Sequence, residues 1–179
     1  MAIEVRTLSR TDAKEASLLD KKWFGEYGIS EKQLEDYIIS HPEGGLAIYI
    51  DNIFAGFTTF EILEDNIKPT DYIGNINHTS KTLFIQQFTT ITNYKLTDYS
   101  VDTELIKAVE EYAKSKSCTE VWEALAIEHP YSTNVNPEYD AIGFYTKHSY
   151  SYDSNSTVKW QPNESISIEC YLFKKSPIK

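Results

Sequence analysis

The sequence predicts a single domain of mixed α/β class, a twisted mixed sheet of about six or seven strands flanked by about four helices. Three observations carry this. The span Phe84 to Ile127 reads strand, helix, strand, which calls for a right-handed crossover and parallel pairing. The span Leu46 to Leu63 reads as two strands joined at Asp51-Asn52, a tight-turn pair that implies antiparallel pairing. No internal repeat, low-complexity run or linker divides the 179 residues, so the domain is read as 1–179.

Taken in order, Ile3 to Thr7 alternates as a short strand. Asp12 precedes the helical run AKEASLLDKKWF, with Ala16, Leu19 and Trp23 near one face. Ser30 to Ser40 is a second helix, opened by a Ser30/Gln33 capping box and closed by Pro42 and Gly44-Gly45. GLAIYI, with Leu46, Ile48 and Ile50 on one face, and FAGFTTFEIL form the hairpin. Asp65 to Ser80 is polar and reads as a loop. KTLFIQQFTTIT is a strand, and CTEVWEALAI is a buried one. Between them Val101, Leu105, Ala108, Val109 and Tyr112 share one helical face. A polar connection, EHPYSTNVNPEYD, leads to a short helix over Ala141 to Lys147. Two last strands, near Tyr150 to Trp160 and Ser165 to Phe173, are separated by the turn residues QPNES.

Composition excludes several functions. A net charge of -10 opposes a nucleic-acid surface and, more mildly, an anionic membrane; it suits a cationic or neutral partner. The two cysteines, Cys118 and Cys170, form no metal-binding spacing, so no metal is expected. The first residues lack an apolar signal region and no run is long enough to span a bilayer. A cytoplasmic location is the expectation.

Two segments carry a family resemblance. TDYSVDTELIKAVEEYAKSKSCTEVW resembles the central loop, helix and strand of the GNAT superfamily of N-acetyltransferases. AIGFYTKHSY is similar to that family's A-x-x-x-Y-x-x-x-G-F signature: Ala141 and Tyr145 match, while Ser149 and Tyr150 stand where Gly and Phe are usual. The resemblance implies an acyl-CoA N-acyltransferase-like fold whose sheet splays between its fourth and fifth strands, here Leu83–Thr90 and Glu120–Ala126. It implies acetyl-CoA as cofactor, with pantetheine on the fourth strand at Phe88 and Thr90. The pyrophosphate would lie on the helix start at Thr97, Ser100, Val101, Asp102 and Thr103, where backbone N–H groups lack helical partners.

The loop departs from the family motif of Arg or Gln, two residues, Gly, one residue, then Gly or Ala. Thr97, Ser100 and Asp102 stand at those places, and no register of TNYKLTDYSVD supplies a Gly. A carboxylate about 4 Å from a phosphate charge repels it by about 4 kcal/mol at an effective dielectric of 20. Ser100 as helix cap with Asp102 in the first turn, or Asp102 as the cap itself, is the ordinary alternative. Lys95 and Lys107 are the cations near enough to offset Asp98 and Asp102.

For catalysis the resemblance points to Tyr145 as the acid for a leaving thiolate. Glu123 is the candidate base on the fifth strand. Gln87 and Glu61 are candidates for binding substrate. Gln86 and Gln87, as strand neighbours, should face opposite sides. His129, Asn134 and Asn136 lie in the long polar connection. The activity implied first is transfer of an acetyl group from acetyl-CoA to a small-molecule or peptide amine. The alternative is a binding or regulatory module that has lost CoA. A homodimer formed through the two C-terminal strands is a third expectation.

Overall fold

In a computed structural model of the chain, residues 2–127 except 75, 77 and 79, together with residues 138–178, are described. The connection holding His129, Asn134 and Asn136 lies outside the described residues. The elements run β1 (Ile3–Thr7), α1 (Ala13–Phe24), α2 (Glu31–Ser40), β2 (Gly45–Ile50), β3 (Ile53–Leu63), β4 (Tyr72–Gly74), β5 (Thr82–Thr90), α3 (Ser100–Ser115), β6 (Glu120–Ala126), α4 (Ala141–Lys147), β7 (Thr157–Asn163) and β8 (Ile166–Lys175). The strands form one sheet in the order β1-β2-β3-β5-β6-β8-β7-β4. That is eight strands, slightly more than the sequence suggested.

Local chemistry explains most of the element ends. Ser30 accepts the Gln33 N–H and Gln33 answers on Ser30, so α2 starts with its reciprocal cap in place. Asp51 and Asn52 both take positive φ, 48° and 66°, which is what a two-residue turn between β2 and β3 demands. β5 and β6 pair in parallel from Thr82↔Glu120 to Ile85↔Glu123 and part beyond that point.

The sheet has two covered faces. α3 and α4 pack on one, over Ile48, Phe60, Leu83, Ile85, Phe88 and Val121. α1 and α2 cover the other at its β1–β3 end, over Ala47, Tyr49 and Phe57. The rest of that second face is covered by the segment after β3, which seats Ile76 with Leu63, Phe84, Trp122 and Leu172. The polar stretch 65–80 is therefore more than a loop. It straps across β5, β6 and β8 and adds β4 to the outer edge of β7, Tyr72 opposite Trp160. Its polar sequence concealed this because the strand is short and the inward residues, among them Pro69, Tyr72, Ile76 and His78, follow no period.

Both sides of β8 are paired, to β6 and β7, and β7 is covered by β4. Val158–Trp160 of β7 are already paired, so the strand pairing between subunits expected through the C-terminal hairpin would have to displace β4 there. The last strand pair also begins later than expected: Tyr150 is buried in the α3/α4 core, and β7 starts at Thr157.

Backbones approach closely where β3 meets β5. A Cβ on Gly56 would lie 2.7 Å from the Thr89 carbonyl oxygen and 2.9 Å from Thr90 Cα, both backbone atoms. Gly56→Ala is expected to cost about 1–3 kcal/mol through strand displacement. Urea denaturation of the two proteins checks this, and coincident curves would contradict it.

Candidate functional site

The site begins where β5 and β6 separate. Glu123 is the last β6 residue paired to β5, and it points toward α4. The Tyr145 hydroxyl donates to Glu123 Oε2, and Tyr94 O–H lies 3.0 Å from Tyr145 O–H. All three are buried; Glu123 is 5% exposed and Tyr145 fully enclosed. Burial pushes the Glu123 carboxyl up to about 8, against the opposing pull of the Tyr145 hydrogen bond. Burial, with the Glu123 charge second, raises the Tyr145 phenol well above its usual range. The two catalytic candidates are thus in direct contact.

A bulge sits next to this pair. Phe60 is opposite Ile85 and Thr59 is opposite Gln87, so β5 carries one extra residue, Gln86. The expected alternation fails there, and Gln86 and Gln87 both face one cavity. Gln86 Nε2 donates to Glu61 Oε1, and Glu61 Oε2 accepts the Thr70 N–H of the strap at 3.2 Å. Gln87 Oε1 accepts from Thr59 at 2.8 Å. Glu61, Gln87 and Glu123 thus all line one cavity.

That cavity measures about 940 Å³. Its walls come from the α1–α2 turn, α2, β3, the strap, β5, β6 and the β7–β8 hairpin. Its carboxylates are Asp20, Glu26, Glu43, Glu61, Asp71 and Glu123, with no lysine or arginine among the lining residues. Among the described residues only Glu43 of these is ion-paired, to Lys116 at 2.6 Å. Asp20 is fixed by the Ile29 N–H and the Thr89 hydroxyl, and burial raises its carboxyl. Aromatic rings, among them Tyr37, Tyr72 and Trp160, complete the wall. Asp71 and Tyr72 come from the strap, whose composition gave no hint of a role.

The start of α3 has a different construction. Ser100 is the first helical residue, and Asp98 Oδ1 accepts its N–H at 2.8 Å. The hydrogen bonds from Ser100 hold the Asp98 carboxyl below its usual range. Asp102 lies in the first turn and is not the N-cap. It turns inward, fully enclosed, and accepts from Thr90 Oγ1 at 2.6 Å, Thr92 Oγ1 at 2.7 Å and Tyr94 N–H at 3.3 Å. Burial raises its carboxyl against these bonds. Both capping expectations for Ser100 and Asp102 are corrected: the partner of the first helical N–H is Asp98. Val101 is core, Thr97 is exposed, and Thr103 meets His148 Nε2 at 3.2 Å. Lys107 is engaged by Glu104 at 2.9 Å, so it does not offset Asp102.

The backbone that the family resemblance would give to pantetheine also has other partners. Thr90 N–H donates to Asn93 Oδ1, and the Thr90 carbonyl accepts from Trp23 Nε1 at 2.9 Å. Trp23 in turn meets the edge of Tyr139, ring centres 5.6 Å apart. Phe88 stacks on Tyr94. Beyond the splay, the β5–α3 loop is laced to the segment before α4. Leu96 N–H donates to Glu138 O, Asp140 N–H donates to Tyr94 O, and Lys95 bridges Tyr139 in antiparallel fashion. At two points of the mode the resemblance implied, the chain's own groups hold the backbone: Asp98 accepts the Ser100 N–H at a helix start without glycine, and Asn93 and Trp23 take the Thr90 N–H and carbonyl.

Comparison with known proteins adds the fold. No protein family matches the chain by sequence, and no curated protein does. Solved structures match over its length. Ard1 from Thermoplasma volcanium is 13% identical, covers 100% of both chains and has a TM-score of 0.67. The PaiA N-acetyltransferase from Thermoplasma acidophilum, in complex with coenzyme A, is 16% identical over 98% of this chain and 99% of that one, with a TM-score of 0.62. The loading GNATL domain of CurA from Lyngbya majuscula is 12% identical over 98% of each, at 0.69. The architecture is the one these structures share, a mixed α/β sheet flanked by helices. More narrowly, the chain has the GNAT fold over its whole length. No helix among the described residues is long and apolar enough to cross a membrane.

Proposed function

We propose that the chain is an amine-binding module on the acyltransferase fold that does not take acyl-CoA in the manner of that fold's transferases. The lacing of Tyr94–Leu96 to Glu138–Asp140 carries this reading, because it runs across the space between the β5–α3 loop and the entrance to α4. The ligand's charge follows from the cavity. Carboxylates in a partly enclosed wall, with Glu43 the one ion-paired among the described residues, favour an ammonium group, and surrounding aromatic faces add cation–π attraction.

Isothermal calorimetry of the native chain tests the cofactor half. Acetyl-CoA is expected to give no binding heat at protein concentrations where micromolar affinity would be evident. Micromolar binding would overturn the reading.

One observation favours a second reading, transfer of an acetyl group from acetyl-CoA to that amine. Glu123 and Tyr145 form a buried acid pair at the strand divergence, with the perturbed ionisation common at catalytic sites. Release of free thiol from acetyl-CoA in the presence of an amine, lost in Tyr145→Phe, would establish this second reading.

A further inference from the structure

The two margins of the sheet are unlike. β4 lies along one, and β1 forms the other, paired to β2 alone. The ends of β1 show which of its groups face outward. Leu8 N–H donates to the Gly45 carbonyl, and the Ala2 carbonyl accepts the Asp51 N–H. The register between them is unbroken, so Glu4 and Arg6 also bond toward β2. Ile3, Val5 and Thr7 therefore turn their N–H and C=O groups away from the sheet, and no partner meets these groups among the described residues. β1 carries no proline or lysine and no bulge against β2, the usual guards of an open edge.

The strand is complementary to itself. Turned about a twofold axis through Val5, the segment IEVRT sets Val5 against Val5, Ile3 against Thr7 and Glu4 against Arg6. The outward residues Ile3, Val5 and Thr7 then exchange backbone hydrogen bonds across the axis. Glu4 and Arg6 fall at the closer, non-hydrogen-bonded positions, where opposite charges attract across strands. Both side chains are available. Glu4 is exposed and has no ion pair among the described residues. The Arg6 side chain is 50% exposed; it lies over the Tyr49 ring and 3.8 Å from Asp12, and a guanidinium with five donors can take the partner's Glu4 as well. The charges within β1 cancel, in a chain whose net charge of -10 makes most of its surface repel a second copy. On the other face Ile3 and Val5 are half-buried against the core under α3, and pairing covers their remaining surface.

From the open edge and its self-complementary charges we infer that two copies of the chain join β1 to β1, antiparallel and centred on Val5, and continue the sheet across a twofold axis. The occupant is a second copy because the Glu4/Arg6 pattern is matched by its own reverse. The pairing is independent of what the cavity holds.

Sedimentation velocity of the full chain across the micromolar range tests it. The native chain is expected to form a dimer in proportion to concentration. Glu4→Arg sets like charges at both symmetry-related positions and is expected to weaken the dimer at least ~10-fold. Val5→Pro removes the outward N–H on the axis, leaves the bonds to β2, and is expected to weaken it similarly. Arg6→Glu also opposes like charges. An equimolar mixture of Glu4→Arg with Arg6→Glu restores opposite charges at both positions and is expected to dimerise where neither does alone. Arg6→Glu gives up the contacts with Tyr49 and Asp12; should it fail to fold, Glu4→Arg and Val5→Pro decide. A native chain that stays monomeric throughout overturns the inference, whether or not a foreign strand takes the edge. A native dimer that Glu4→Arg leaves as tight overturns it too, because association then runs through another face. A mixture of folded variants that stays monomeric overturns the register and the inference with it.

Discussion

Asp102→Ala is expected to destabilise the chain by about 3–5 kcal/mol, at the high end for single substitutions. Asp102 has no exposed surface, and its two oxygens take the Thr90 hydroxyl, the Thr92 hydroxyl and the Tyr94 N–H. Alanine would leave all three donors facing a void. Asp102→Asn keeps one carbonyl oxygen and the volume, and its expected cost is smaller, about 1–2 kcal/mol. Urea denaturation at neutral pH followed by tryptophan fluorescence is the measurement, since Trp23 Nε1 donates to the Thr90 carbonyl beside the affected loop. If alanine and native chains unfold together, Asp102 is not an internal tie. The same result would reopen the family's pyrophosphate mode, because a dispensable carboxylate has no reason to remain buried at a helix start.

Glu123→Gln is expected to make the chain more stable than the native protein at alkaline pH. The sign follows from the proton count. The folded Glu123 carboxyl sits at about 8 against an ordinary value of 4.5, because burial penalises the charge. Between those values the folded chain holds a proton that the unfolded chain has released, so stability falls as pH rises through this window and then levels off. Glutamine has no proton to lose and still offers Tyr145 a carbonyl acceptor. The native and Glu123→Gln curves of stability against pH should therefore diverge between about pH 5 and pH 8, by about 2–4 kcal/mol at the upper end. Parallel curves would show that Glu123 ionises as an exposed carboxylate does. A bound ammonium acts in the opposite direction, since it stabilises the charged carboxylate and draws the proton out.

The sequence yielded most of the fold because each element announced itself locally. The Ser30/Gln33 cap, the Asp51-Asn52 turn and the apolar face from Val101 to Tyr112 are short-range signals, and all appear where they were read. The strap escaped because nothing local specifies it. Tyr72 becomes a strand residue only by pairing with Trp160, far along the chain, and that pairing leaves no periodic mark in three residues. The site was legible in part. Tyr145 and Glu123 came from the family resemblance and stand in contact, and Glu61 and Gln87 share a cavity. Gln86 was assigned to the opposite face because a bulge breaks period two without changing composition. The sequence raised the question of Asp102, yet only the structure places its partners, Thr90 at the end of β5 and Thr92 and Tyr94 in the loop after it.

β4 has a consequence for the molecule's behaviour in a crowded solution. A sheet ending at β7 would present a seven-residue row of unpaired backbone, Thr157–Asn163, beside Trp160 and the buried Val158. Such rows recruit strands from other chains. Here the exposed margin is instead Tyr72–Gly74, three residues long and closed by Gly74 at a φ of 125°, a conformation that does not extend a strand. The segment that lines the cavity with Thr70, Asp71 and Tyr72 thus also shields the middle of the β7 edge. Any drift in its sequence toward a different ligand has to keep that protection.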